Sequence, residues 1–179
     1  FAGVSGALLG SGMPMPGAGE QPASLLTSPL FHVAGFHSGV CTGLTAGVKL
    51  VFTEGKFDPE QVLQIIERER ITLWGAIPTM LHRVVHHPEA SSYDLSSLKG
   101  ISFGGAPTPP ETLEKAREVL KIQPSFSNAY GLTETHGVAT LNGGKDLLGR
   151  TTSIGRPVPM LEMKIASPDG EPLPDGARG

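Results

Sequence analysis

Little in this sequence is basic and little is covalently reactive. Lys and Arg number 14 against 17 Asp and Glu, for a formal net charge of −3. That leaves no electrostatic footprint for nucleic acid. A single cysteine, Cys41, excludes an internal disulfide and suits a reducing, cytoplasmic compartment. Because it sits in an apolar run, it is expected to be a buried structural thiol and not a nucleophile. No transmembrane segment is evident. The opening FAGVSGALLG is about half the length of a membrane span, and it lacks the basic flank of a signal peptide. It reads as the end of a helix, and the boundaries at Phe1 and Gly179 read as those of a piece of something longer. No internal repeat occurs, and the only biased segment is the Gly/Pro stretch from Gly10 to Pro22. Aromatics are scarce, and the one tryptophan, Trp74, is expected in the core. What is abundant is Gly (24) and Pro (16) beside a normal 39% apolar content. Together they favour a folded domain with many tight turns over disorder.

Strand, helix and strand patterns alternate along the chain. Ser24 to Ser28 reads as a short strand ended by Pro29, and Phe36 to Ala46 as a helix of small residues able to pack closely on a sheet. Val48 to Thr53 is a strand. Asp58 before Pro59 predicts an N-cap with Pro at the first helical position. The helix it opens runs to about Arg70, with Val62, Leu63, Ile65 and Ile66 as its apolar stripe. Ile71 to Ile77 is a strand, Pro78 opens a helix ending near His87, and Ser91 to Lys99 is a polar connection. Ile101 to Phe103 is a strand running into GGAPTPP, and Glu111 to Lys121 is a helix. The expected fold is α/β, a largely parallel sheet with helices on both faces. From Ser153 two prolines exclude a helix, Leu161 to Ala166 alternates as a strand, and SPDGEPLPDG carries two turn signals. Residues 1–152 are therefore expected to form an α/β subdomain and 153–179 the beginning of a small antiparallel β subdomain.

The stretch with most chemistry is Ser127 to Thr135, SNAYGLTET. Ser125 to Tyr130 alternates, so Phe126, Asn128 and Tyr130 should project to one side. Gly131 permits a sharp turn or close approach of backbone to a ligand. Thr133 and Glu134 follow at the tip. An aromatic face, an amide, a hydroxyl and a carboxylate there suit a base, a phosphate and a divalent cation, and Mg²⁺ needs only one or two carboxylates beside substrate phosphates. Taken alone, the stretch also reads as a Gly-containing loop with solvated polar residues. Ligands of such sheets sit beyond the carboxyl ends of strands, where this turn and Gly104-Gly105 both fall.

PLFHVAG, GGAP, NAYGLTET and SIGRPVP followed by PDGEPLPDG occur in that order. The set resembles the adenylate-forming (AMP-binding) superfamily, and most of all its fatty acyl-CoA ligases, over nearly all of the chain from about Ser24. The resemblance implies an ATP-dependent acid–thiol ligase. It would activate a carboxylic acid as acyl-AMP, release pyrophosphate, and pass the acyl group to coenzyme A. It implies that Tyr130 stacks on adenine, bordered by Asn128 and by the turn Gly104, Gly105, Ala106 and Pro107. Thr133 would bond phosphate oxygens, Glu134 would ligate Mg²⁺, and His32 would stand where carboxylate and α-phosphate meet. Ala34, Phe36, Ser38, Gly105, Ala106, Ala129, Gly131 and Val138 would wall the acid pocket. Gly155, Arg156 and Pro157 match a structural turn. The family's phosphate loop is expected before Phe1. Its ribose-binding aspartate and small C-terminal domain, which carries a catalytic lysine, are expected after Gly179. The piece alone should then be inactive.

No Asp or Glu occurs from Pro29 to Val48, where amino-acid-activating members of the family carry an aspartate for the substrate's ammonium group. This favours a fatty or other apolar acid, and with a lipid substrate membrane association becomes an alternative to a free cytoplasmic location. Two further alternatives are a non-catalytic nucleotide-binding module and an acyl-AMP ligase delivering to a carrier protein. Among other candidates, His82 and His86 have a spacing able to bind zinc but read first as a solvated helix face. His37 reads as a core or pocket histidine. His136 reads equally as a loop residue or a substrate contact, and ERER (Glu67 to Arg70) as a solvated helix end.

Overall fold

The computed structural model describes residues 21–120, 125–159 and 161–178. The expected opening helix and most of the Gly/Pro stretch lie outside the described residues. Among the described residues seven strands build one sheet: β1 (Ala23–Leu26), β2 (Lys49–Phe52), β3 (Leu73–Ala76), β4 (Gly100–Gly104), β5 (Ser125–Leu132), β6 (Gly137–Gly143) and β7 (Arg156–Pro157). Their spatial order is β2-β1-β3-β4-β5-β6-β7. The first five run parallel, and β6 and β7 add antiparallel. The helices are α1 (π-helical Ala34–Cys41, continuing as Thr42–Thr45), α2 (Pro59–Glu69), α3 (Pro78–Val85), α4 (Pro110–Leu120) and α5 (Gly144–Gly149), with a 3₁₀ turn at Ala90–Ser92.

Register explains the core. Val51, Leu25, Trp74, Ile101 and Phe126 are successive partners across five strands, so they share one face. Against that row α2 buries Val62, Leu63 and Ile66, α3 buries Leu81, Val84 and Val85, and α4 buries Leu113, Ala116 and Leu120. Trp74 is core, with its indole N–H donating to Thr27 Oγ1 at 3.3 Å. On the opposite face α1 lies against Leu26 and Leu50, which its glycines Gly39 and Gly43 admit at close range. Small residues thus let this helix approach the sheet, as the sequence leads one to expect.

Asp58 caps α2, its side chain accepting from the Glu60 N–H at 3.0 Å. Asp58→Ala should lower the stability of the folded chain by about 1 kcal/mol in urea denaturation, with an unchanged slope. The ERER end is solvated but paired: Lys49 binds Glu69 at 2.7 Å, and Arg70 binds Asp94 at 2.7 Å. Hydrogen bonds from the Ser96 hydroxyl and N–H, together with the Arg70 guanidinium, hold the Asp94 carboxyl down at about 2. These contacts tie the 91–99 connection to the end of α2.

Several expectations need correction. The 91–99 connection is only partly polar. Leu95 and Leu98 are buried in the core, because a turn with Leu98 N–H bonded to Leu95 C=O aims both inward. Leu161 to Ala166 does not form a strand; pairing reduces to one bridge, Ala166 with Pro172. Leu161, Met163 and Ile165 stay exposed there, so the alternation has no partner strand among the described residues to satisfy it. Cys41 is half-buried, not buried. The stripe of α1 begins two residues before Phe36 and is wound as a π-helix: the Thr42 N–H reaches back to the His37 carbonyl, and the Thr42 hydroxyl donates to the same oxygen at 2.9 Å. Among the described residues no helix is long and apolar enough to cross a membrane.

Candidate active site

Each motif segment follows the carboxyl end of a parallel strand. The His32 segment lies beyond β1, the Gly104–Pro107 turn closes β4, and Tyr130 to Glu134 closes β5 and enters the turn to β6. Three stretches far apart in sequence therefore gather along one edge of one sheet, where open α/β folds bind ligands.

The turn between β5 and β6 is built from its own residues. Thr135 Oγ1 accepts from the Leu132 N–H at 3.1 Å and lies 3.0 Å from the carbonyls of Leu132 and Gly137. His136 adopts a left-handed conformation with φ +58. Between Tyr130–Thr140 and Gly131–Val138 the register slips by one residue, a bulge of the kind found beside active sites. Gly131 is required at that slip, since a Cβ would strike the Gly137 carbonyl. Thr135 thus pins the loop that displays Thr133 and Glu134. Sequence reasoning singled out its neighbours and missed it, because a threonine's hydroxyl partners depend on the turn already being formed.

Thr133 and Glu134 are exposed, as is Tyr130 at 41%. Among the described residues no hydrogen bond, ion pair or ring contact joins these three side chains to one another or to the rest of the protein. None is packed into the core. Asn128 is half-buried on the same strand face as Phe126 and Tyr130. That face divides along its length: Phe126 is buried under α4 with the Arg117 guanidinium 5.4 Å above its ring, whereas Tyr130 emerges at the strand end. Ala129 is half-buried, and Gly104 lies so close to its carbonyl that a side chain there would collide with it. Gly105 (φ +79), Ala106 and Pro107 are exposed, and Thr108 beyond them is a buried hydroxyl with no partner among the described residues.

Helix α1 brings the residues expected on the acid side to the same turn. Ser38 Oγ would stand 3.1 Å from a Cβ at Gly137, and His37 Nδ1 is 3.4 Å from the His136 carbonyl. Val138, half-buried, pairs with Gly131. Ala34 and Phe36 are exposed on α1. His32 is exposed, and its Nδ1 accepts the Ala34 N–H at 3.1 Å. An amide N–H only donates, so in the neutral ring Nδ1 is the lone pair and Nε2 carries the proton. The side chain therefore presents a donor outward, suited to an anionic oxygen. A separate cleft of about 480 Å³ is lined by Asn142, Lys145, Asp146, Arg150, Arg156 and neighbours. None of the site residues expected from the sequence lines it.

The family model for the AMP-binding enzyme matches residues 5–179. The chain belongs to the AMP-binding enzyme family. It is 36% identical over 157 residues to the feruloyl-CoA synthase of an Amycolatopsis species, a match covering 87% of this chain and 31% of that protein. To the bovine mitochondrial medium-chain acyl-CoA ligase ACSF2 it is 33% identical over 149 residues, 83% of this chain and 24% of that one. The chain thus spans about a third or less of the length of these curated relatives. Among solved structures it resembles the N-terminal domain of FACL13 from Mycobacterium tuberculosis, with a TM-score of 0.79, 26% identity, and coverage of 96% of this chain and 42% of that one. It also resembles the o-succinylbenzoate coenzyme A synthetase of Bacillus subtilis in complex with ATP and magnesium ion, with a TM-score of 0.77, 27% identity, and coverage of 97% and 34%. The mostly parallel sheet with its antiparallel extension is the fold these enzymes share with the chain.

Proposed function

We propose that this chain is the middle of the large domain of an ATP-dependent acyl-CoA ligase acting on an apolar carboxylic acid. The observation that carries this is the gathering of the His32 segment, the Gly104–Pro107 turn and the Tyr130–Glu134 loop at one sheet edge. The names of the relatives, feruloyl-CoA synthase and medium-chain acyl-CoA ligase, support an acid with an apolar body. The absence of any carboxylate from Pro29 to Val48 supports it independently, since nothing there would hold a substrate ammonium. Residues 1–152 belong to the α/β part of the domain, and residues 153–179 open its β-rich part.

Tyr130 offers its ring to adenine, with Asn128 and Gly104 to Pro107 beside it. Thr133 donates to phosphate oxygens. The His32 Nε2–H lies where acid and α-phosphate would meet, and Ala34, Phe36, Ser38, Gly105, Ala106, Ala129, Gly131 and Val138 form the acid's walls. Both reactants are anions, so positioned donors and screening of repulsion carry the rate. Glu134 fits a Mg²⁺ ligand, being an exposed carboxylate free of any ion pair among the described residues. Such a cation would supply positive charge to offset that of the phosphates. The acyl-AMP then meets the thiol of coenzyme A, which needs no nucleophile from the protein.

The test is pyrophosphate exchange by the full-length protein over a panel of medium-chain, aromatic and amino acids, followed by thioester formation with coenzyme A. Exchange driven by apolar acids with thioester as product is expected. Exchange driven only by amino acids would overturn the substrate class, and acyl-AMP formed without thioester would move the acceptor to a carrier protein. The 179-residue chain alone should show no turnover and only weak ATP binding by calorimetry; tight binding would contradict the expectation that a phosphate loop outside it supplies much of the affinity.

A further inference from the structure

We propose that His82 and His86 form a two-imidazole site for a divalent transition-metal cation on the exposed side of α3. The residues lie one turn apart, and their ring centroids are 4.0 Å from each other with planes inclined by 31°. His86, the C-terminal cap residue of α3, has Nδ1 2.8 Å from the His82 carbonyl. A carbonyl only accepts, so Nδ1 carries the proton and the neutral ring keeps its lone pair on Nε2. His82 Nδ1 lies 3.4 Å from the hydroxyl of Thr112, a residue 1% exposed on the first turn of α4. Both rings are thus steadied through Nδ1, leaving both Nε2 atoms for another partner. A metal-binding histidine is held in this way, with its second nitrogen bonded to a carbonyl or similar group.

Packing does not account for the pair, since both side chains are exposed. With metal–nitrogen bonds of about 2.0–2.1 Å, two rings sharing one cation have centroids roughly 4–5 Å apart. The observed spacing needs only a modest rotation about a soft terminal torsion to meet that geometry. Among the described residues no group of three or more His, Cys, Asp or Glu forms a metal cluster. The remaining coordination positions therefore fall to water, and the site is open and exchangeable. Imidazole ligands favour Cu²⁺ over Ni²⁺ and Zn²⁺, and do not suit Mg²⁺ or Ca²⁺. The site is separate from Glu134, which offers the opposite chemistry, a hard oxygen ligand.

The test is equilibrium dialysis of the full-length protein, free of any affinity tag, against Cu²⁺ and Ni²⁺ in a non-coordinating buffer containing millimolar Mg²⁺. A Cu²⁺ site preferred over Ni²⁺ and indifferent to Mg²⁺ is expected. His82→Asn and His86→Asn should each weaken it by about tenfold or more, and His87→Asn should not. Paramagnetic resonance of the Cu²⁺ complex should show two imidazole nitrogens, falling to one in either variant. Absence of binding, competition by Mg²⁺, or equal affinity in His82→Asn and His86→Asn would overturn the proposal. Far-UV circular dichroism checks folding, and His86→Gln at the exposed cap serves if His82→Asn disturbs the Thr112 contact.

Discussion

Glu134→Gln in the full-length enzyme should reduce pyrophosphate release by about a hundredfold or more, the scale seen when one electrostatic stabiliser is removed from a phosphoryl or acyl transfer site. The substitution keeps size and shape and deletes one charge. Glu134 sits in the turn after β5, exposed, with no ion pair or hydrogen bond to the rest of the protein among the described residues. The fold therefore has nothing to lose, and the urea midpoint should match that of the parent. If Glu134 ligates Mg²⁺, raising free Mg²⁺ should recover part of the rate, because the variant's defect is then weakened cation affinity. An unchanged rate would remove Glu134 from the metal site. A lost rate with a lowered midpoint would make it a structural residue. Thr133→Ala should act less severely, since it would remove the hydroxyl proposed to donate to phosphate and leave every charge in place.

The second large effect is on stability. Gly155→Ala should destabilise the chain by about 3 kcal/mol or more, a sizeable part of the 5–15 kcal/mol typical of a folded domain. Gly155 has φ +82, and a Cβ there would strike the carbonyl of Leu141 in β6. The neighbour is backbone of a paired strand and cannot swing away. The loop is also fastened on both sides: Thr140 Oγ1 donates to the Ile154 carbonyl at 2.6 Å, and Asn142 Nδ2 to the carbonyls of Arg150 and Ser153 at 2.9 and 3.0 Å. Gly176 offers the control. It has nearly the same φ, +83, with nothing within 4 Å of its added carbon. Gly176→Ala should cost only the conformational strain, about 1–2 kcal/mol, and the difference between the variants isolates the collision. Similar midpoints for both in urea would show that the loop can yield.

Sequence pattern foretold the parallel part of the sheet because each element there carries its own punctuation. Asp58-Pro59 opens α2, Pro78 opens α3, and β-branched or aromatic runs lead into each Gly turn. What followed β5 was less legible for a definite reason. In β6 the buried positions include Thr140, fully buried, and Asn142, at 3% exposure, because both serve as anchors for the Gly155 loop. Polar residues facing inward defeat any rule that equates polarity with solvent. Leu161 to Ala166 shows the reverse failure. Its alternation is strong, yet a strand is a relation between two segments, and only Ala166 finds a partner. At the site, Tyr130, Thr133, Glu134 and the Gly104 turn could be named from motif and order. Thr135 could not, nor could the tautomer of His32, since each depends on a hydrogen bond closed by the folded backbone.

The winding of α1 decides how the segment tolerates a change in its length. A π-helical stretch holds one residue more than ordinary helical winding needs over the same rise. Removing a single residue between His37 and Thr42 would let the segment relax to α geometry at nearly the same total rotation, so Ala34 and Phe36 would keep their directions. The same deletion from an α-helical segment would swing them by about 100° about the axis. The π turn thereby makes this helix tolerant of a one-residue loss that ordinary winding would not absorb.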